Sequence, residues 1–301
     1  MATPRDPEEL EAAAGPVAAE ISPDTTLGPV HLTVADLARS LEFYRRVLGL
    51  QAAEDGDGRA KLSAGGAPLL VLSEQHGARP AIHYTGLYHF ALLVPERTDL
   101  AHWLAHVARE RVPLAGASDH FVSEAIYLSD PDLHGIEIYW DRPRELWEGQ
   151  VTRMGTWPLD VENLLATLGD PATARFDAIA PGTIMGHVHL RVADVRETVA
   201  FYRDVLGFGL MAQLGAQAAF LSAGGYHHHF GANTWESRGA PPPPRDTAAL
   251  RHATVVLPDA AERAAVAERV EAAGFEVDDG FVLRDPSGNR LVLEVGAPLA
   301  A

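Results

Sequence analysis

Polar and apolar positions alternate along this chain for six or seven residues at a time, then shift to helical spacing, and the change recurs four times. Pro29-Val-His-Leu-Thr-Val-Ala-Asp-Leu-Ala-Arg-Ser-Leu-Glu-Phe-Tyr-Arg-Arg-Val-Leu-Gly-Leu50 reads as a strand, an N-cap at Asp36, an amphipathic helix and a glycine stop at Gly49. His187-Val-His-Leu-Arg-Val-Ala-Asp-Val-Arg-Glu-Thr-Val-Ala-Phe-Tyr-Arg-Asp-Val-Leu-Gly-Phe208 repeats it, with Asp194 and Gly207 in the same places. Short strands are predicted after each helix, over 60–63 and 68–72 in the first copy and 209–214 and 218–222 in the second.

Two weaker copies follow the strong ones. His89-Phe-Ala-Leu-Leu-Val-Pro leads to a helix near 100–110 and a hairpin over 126–139. His252-Ala-Thr-Val-Val-Leu-Pro leads to a helix near 260–273 and a hairpin over 281–295, turned by Asp-Pro-Ser-Gly-Asn. The pattern therefore predicts an α+β fold of four βαβββ units, two per domain. A disordered tail over 1–26, rich in Ala, Pro and acid, precedes an N-terminal domain over 27–141. Residues 142–182 form a linker with a short helix near 161–168, and the C-terminal domain covers 183–299. Pro241–Pro244 marks a loop between the third and fourth units.

Composition narrows the function. A net charge of -17 sets the chain against nucleic acid and anionic membrane surfaces, which call for clustered Lys and Arg. The absence of cysteine removes disulfides, thiolate metal sites and a Cys nucleophile together. No apolar run is long enough to span a bilayer, and the N-terminus lacks a basic-then-apolar leader, so a soluble, cytoplasmic protein is expected. Chemistry is left to the 14 histidines and the acids near them.

Paired βαβββ units of this kind resemble the vicinal oxygen chelate superfamily, which includes glyoxalases, bleomycin-resistance proteins and extradiol dioxygenases; the likeness covers nearly all of the chain beyond the tail. The resemblance implies open β-cups with metal ligands on the first and last strands of each unit. Its first-strand ligand falls seven residues before the helix cap, at His187 in the third unit but at Pro29 in the first. His89 and His252 open the second and fourth units. The last-strand ligand falls at Glu137 in the second and at Val292 in the fourth, with Glu294 two residues beyond. Two sites follow: His89, Glu137 and His187, if the second and third units share a cup, or His187, His252 and Glu294 within the C-terminal half. The first fills every position without a shift of register. His189, repeated as His31, reads as a structural histidine.

A longer motif sharpens the likeness. His120, Ile126, Tyr127, Asp130-Pro131 and Glu137 follow the pattern of extradiol ring-cleavage dioxygenases, with two departures, Ser118 and Leu133. Leu133 stands where that pattern has Gly or Pro, which implies an altered turn. In Gly224-Gly-Tyr-His-His-His-Phe230, counting along the strand sets His228 at the place of Glu137 and turns His227 and His229 away from the cup. The resemblance then implies two imidazoles and one carboxylate on Fe(II), with Mn(II) also suited to that set. His228 is the expected acid–base, while Tyr127 and His120 bond the reacting oxygens. Tyr139, Phe230 or Trp235 are candidate walls. The implied partners are a small aromatic diol and O2, and a homo-oligomer fits the family. A metal-dependent isomerase or thiol transferase and a metal-free binding protein are the alternatives on the same fold.

Overall fold

A computed structural model describes residues 20–296 as an α+β fold built on two nine-stranded sheets. The first unit comprises β1 (Val30–Val34), α1 (Leu37–Val47), β2 (Gln51–Gly56), β3 (Arg59–Ser63) and β4 (Pro68–Glu74). The second has β5 (Gly86–Leu93), α2 (Arg97–Arg109), β6 (Gly116–Asp119), β7 (Ser123–Ser129) and β8 (Gly135–Asp141). After the linker helix α3 (Val161–Ala166) comes the third, with β9 (Ile184–Arg191), α4 (Val195–Val199), β10 (Gly209–Leu214), β11 (Ala218–Ser222) and β12 (Phe230–Asn233). The fourth has β13 (Leu250–Leu257), α5 (Ala260–Ala272), β14 (Val277–Asp278), β15 (Val282–Arg284) and β16 (Arg290–Val295). Asp36 and Asp194 cap their helices as their positions predict, each carboxylate accepting from first-turn amides. The third unit's helix continues past α4 as a π-helix over Ala200–Val205.

The sheets do not follow the halves of the chain. One runs β14-β15-β16-β13-β1-β4-β3-β2 and joins the fourth unit to the first. The other runs β6-β7-β8-β5-β9-β12-β11-β10, with Trp157–Pro158 at its outer edge, and joins the second unit to the third. Both seams are antiparallel: β13 on β1 and β5 on β9. Each sheet therefore draws on both halves.

Alternation along the central strands separates core from cup. Phe90, Leu92, Ile136, Ile138, Val188 and Leu190 are buried against the helices and against one another. Their neighbours His89, Ala91, Glu137, His187 and His189 lie on the opposite face. Residues 1–19 and 297–301 lie outside the described part, so most of the expected tail does too. Residues 20–26 are ordered, contrary to the composition-based expectation, because Ile21 is buried and Thr26–Leu27 add a short strand to β13.

The Asp-Pro turns brace the hairpins. Asp130 Oδ1 accepts from the amides of Asp132 and His134, while its Oδ2 accepts from Tyr44 at 2.9 Å and from His134 Nδ1 at 2.9 Å. Asp285 repeats the bracing with Ser287 and Asn289 amides and with Tyr202. The Phe-Tyr of the strong repeat thus ties α1 to the hairpin that carries Glu137. Leu133, at the Gly or Pro place, has φ of +67°, the left-handed conformation that a glycine would take without strain. Burial raises the Asp130 carboxyl, but the adjacent His134 outweighs it and holds it below its ordinary value. Burial lowers His134, and the charge of Asp130 reverses that shift and raises it.

Replacing His134 by Ala leaves Asp130 buried without its cation and should lower the unfolding free energy by about 3 kcal/mol, measured by denaturant titration. Asp130 contributes its share above pH 3.8 and loses it as pH falls through its depressed value; His134 contributes below pH 6.5 and loses it as pH rises through its raised value. The difference between wild type and variant should therefore be widest between those two values and shrink on either side.

Candidate metal centre

Three donor atoms from three adjacent strands converge on the floor of the second sheet. Glu137 Oε2 on β8 lies 3.1 Å from His89 Nε2 on β5 and 3.2 Å from His187 Nε2 on β9, and the two nitrogens are 3.3 Å apart. All three side chains are buried. Register explains the convergence. Ala91 pairs with Glu137 on one side and with His187 on the other, so a single methyl group separates the strands that bear the carboxylate and the second imidazole. Tyr127, paired with Glu137 from β7, ends the same row. Two glycines make further room. A Cβ on Gly135, opposite His89, would lie 2.1 Å from the Tyr88 carbonyl; one on Gly231, opposite His189, would lie 2.7 Å from that ring.

Electrostatics suit a cation. Burial alone would raise Glu137, but His187 and His89 together hold its carboxyl well below the ordinary range. Burial pulls His187 down to about 4 against the opposing charge of Glu137, so it stands neutral with its lone pair available. One ionised carboxylate and two imidazole nitrogens within 3.3 Å form a donor set that a first-row divalent ion satisfies at bonds of about 2.0–2.2 Å. Among the described residues this is the one His/Cys/Asp/Glu group with such spacing. The His187, His252 and Glu294 set is not assembled: His187 is in one sheet, His252 and Glu294 in the other.

The flanking residues are held by fixed bonds. His120 Nδ1 donates to the Gly155 carbonyl at 2.7 Å, which leaves its Nε2 to accept from the Tyr127 hydroxyl at 2.6 Å. Burial and the charge of Glu137 keep the Tyr127 phenol protonated. His228 reaches the cup by another route than the one predicted. β12 begins only at Phe230, and Gly231 rather than His228 holds the register place of Glu137. His228 comes instead from the loop before the strand, with its ring centroid 4.1 Å from that of His187.

Asp141 went unread in the sequence, and His227, expected to turn from the cup, stands beside His228. His227 Nε2 is 2.8 Å from Asp141 Oδ1, and its Nδ1 is 2.8 Å from His228 Nδ1. A carboxylate only accepts, so His227 Nε2 carries a proton and donates to Asp141. Burial holds His228 well below the ordinary imidazole value, so its ring stands neutral beside His227. Tyr226 fixes the other oxygen of Asp141 at 2.7 Å and bonds Tyr139 at 2.7 Å. His189 is more than a strand-end histidine: its ring lies 4.9 Å from His89, and its buried Nε2 has no hydrogen-bond partner. Its recurrence at His31 had disguised it. Of the candidate walls, Tyr139 lies 4.9 Å from His187 and Trp235 packs on Tyr88 and His189, beside a cavity of about 540 Å³. Phe230 faces the core, against Tyr202 and Phe208.

The profile of the Glyoxalase/Bleomycin resistance protein/Dioxygenase superfamily matches residues 26–138 and 184–293. The chain belongs to this superfamily. Within it, the chain is 44% identical over 277 residues to a catechol-2,3-dioxygenase of Bacillus subtilis (strain 168), covering 88% of this chain and 95% of that protein. It is 28% identical over 113 residues to the metallothiol transferase FosB of Staphylococcus epidermidis, covering 36% of this chain and 80% of the transferase. Among solved structures, one from Bacillus subtilis subsp. subtilis str. 168 superposes with a TM-score of 0.61 at 17% identity, covering 90% of this chain and 85% of that one. Glyoxalase I from Zea mays gives 0.52 at 16% identity, covering 89% and 92%. These superpositions support the superfamily fold.

Filling the space beside the donors should disable them. Ala91→Val and Gly135→Ala are each expected to weaken metal retention about 10- to 100-fold, measured as metal content by plasma emission after dialysis against a graded chelator.

Proposed function

We propose that the protein is an extradiol ring-cleavage dioxygenase that opens a catechol, or a substituted catechol, beside its diol and delivers both atoms of O2 into a semialdehyde acid. The observation that carries this reading is the buried triad of His89, Glu137 and His187, with donor atoms 3.1–3.3 Å apart. Those three residues would hold Fe(II), with Mn(II) as the ion of next best fit. Such an ion, bound by one carboxylate and two imidazoles, supplies open positions that bring a diol and O2 together and acidify the diol.

The chain's own groups do the rest. His228, a neutral imidazole, accepts a proton from the diol and returns it as the ring opens. Asp141 and His227 hold its ring in place for this. Tyr127, its hydroxyl proton engaged by His120, presents the phenol oxygen to the bound substrate as an acceptor. Tyr139 and Trp235 bound the space available to the ring. The ring carbon–carbon bond next to the diol breaks, one carbon leaving as a carboxylic acid and the other as an aldehyde; O2 receives four electrons. A site with a fourth protein ligand, as an isomerase would use, is not built in the usual way, since Gly231 occupies the matching place on β12.

Protein loaded anaerobically with Fe(II) should take up O2 on addition of catechol and form a yellow product. Turnover should fall to background in His89→Ala and persist in His252→Ala. Loss with His252→Ala alone, or no turnover by iron-loaded protein on any catechol, would overturn the assignment. Asp141→Asn should lower kcat roughly 10- to 100-fold while leaving KM and bound metal unchanged, as expected for a group that positions the proton acceptor rather than the substrate.

A further inference from the structure

The second cup repeats the framework of the first with different chemistry. On the β1–β13 seam, His31 pairs with His252 as His189 pairs with His89 on the other, and their rings meet edge to face at 4.9 Å. Each seam carries a bulge at the same point, with Arg251 where the first cup has Tyr88. Two of the three metal donors are gone: Pro29 replaces His187, and Val292, paired with Thr254, replaces Glu137, while His252 keeps the place of His89. The space left open by Ala91 is taken by Thr254, whose hydroxyl bonds the Pro29 carbonyl at 2.8 Å.

Arginines surround this floor. Arg290 follows in register opposite His252, at the place of Gly135, and pairs with Arg284 on β15. Arg59 pairs with Ser73, whose hydroxyl lies 2.8 Å from His31 Nε2. Arg59, Arg251, Arg284 and Arg290 are exposed, and among the described residues none of them makes an ion pair or a side-chain hydrogen bond. Each of the other sheet's comparable positions is neutral or apolar. We propose that this second cup binds a small oxyanion, a carboxylate or phosphate group, held by Arg251 and Arg290 with Arg59 and Arg284 beside them.

The physical case rests on the reversal of sign between the cups. The first holds a buried carboxylate, and the guanidinium packed over its Tyr88, that of Arg191, is paired with Glu236; the second holds four guanidinium groups without ion pairs and no carboxylate at the matching place. Guanidinium groups present paired N–H donors that suit the planar edge of a carboxylate or phosphate. Four of them brought together repel one another, and an anion relieves that repulsion. Their field reaches the floor: after burial, the arginines Arg251, Arg290 and Arg59 pull His252 down to about 4. His252 and His31 are thereby kept neutral and can donate or accept a bond. Of the opposing acids, Asp278 offsets part of the charge at Arg290, Glu294 is on the same strand face four residues away, and Glu74 lies against Gly58 beside Arg59. In a chain of net charge -17 a set of arginines left without acids is the part of the surface that attracts an anion.

The test is calorimetric titration of the metal-loaded, full-length protein at low ionic strength, with inorganic phosphate and with benzoate in separate runs. Wild type should bind at least one of them saturably at one equivalent; phosphate alone points to an inorganic oxyanion or phosphate ester, benzoate alone to an organic acid. The double variant Arg251→Gln/Arg290→Gln should weaken that binding by about tenfold or more. It should retain catechol turnover and its melting temperature, because neither residue touches the metal cup. Arg46→Gln, a substitution on α1, should bind as wild type does. Binding of neither probe would overturn the proposal, as would binding unchanged in the double variant. Binding that persists there and disappears in His89→Ala would place the anion at the metal centre and overturn it equally.

Discussion

The ladder between β5 and β9 is the constraint on which the rest depends. It joins strands from different halves of the chain, sets Ala91 between Glu137 and His187, and sets His89 against His189. A slip of one residue on either strand would turn the imidazoles into the apolar layer and the core residues into the cup. Register is held because the opposite face is continuous core: Phe90, Leu92, Val188 and Leu190 cannot be exposed without a large loss of buried apolar area. The cup's chemistry is thus stabilised by side chains that never enter it.

Fold and ligands were legible to different depths. The Asp caps, glycine stops and repeated Phe-Tyr placed the helices to within a few residues, because those signals are local. The strand-borne ligands were legible through spacing, since His89 and His187 stand seven residues before their caps and Glu137 follows the Asp-Pro turn. Which units share a sheet was not legible, since strand pairing is decided by contacts far apart in the chain. His228 shows the limit clearly. Counting along an assumed strand gave the right residue by the wrong path, because β12 starts at Phe230, just past the three histidines. Asp141 was invisible, and His227 was assigned to the wrong face, for the same reason: their bond joins the end of one unit to a loop of another.

The two cups illustrate how a duplicated frame changes its chemistry with few substitutions. Replacing a histidine by proline and a glutamate by valine removes two of the three donors of a cation. Exchanging Tyr88 and Gly135 for Arg251 and Arg290 then inverts the potential. The helices, bulges and Asp-Pro turns stay as they were. Catalysis needs a dry, donor-rich floor, whereas ion capture needs mobile arms at a rim, and the same seam supports either.

The order of units along the chain has a consequence for how the molecule is assembled. The metal cup comes from the contiguous second and third units, and the outer sheet is wrapped from the first and fourth, so one sheet is nested inside the other in sequence. The inner seam closes a span of 98 residues and the outer one a span of 225. For a flexible chain that difference adds only about 0.7 kcal/mol of closure entropy to the outer seam. During synthesis the strands of the metal cup all leave the ribosome before β13 exists. The first unit must then wait, with the inner edge of β1 unpaired, until the last quarter of the chain arrives to cover it.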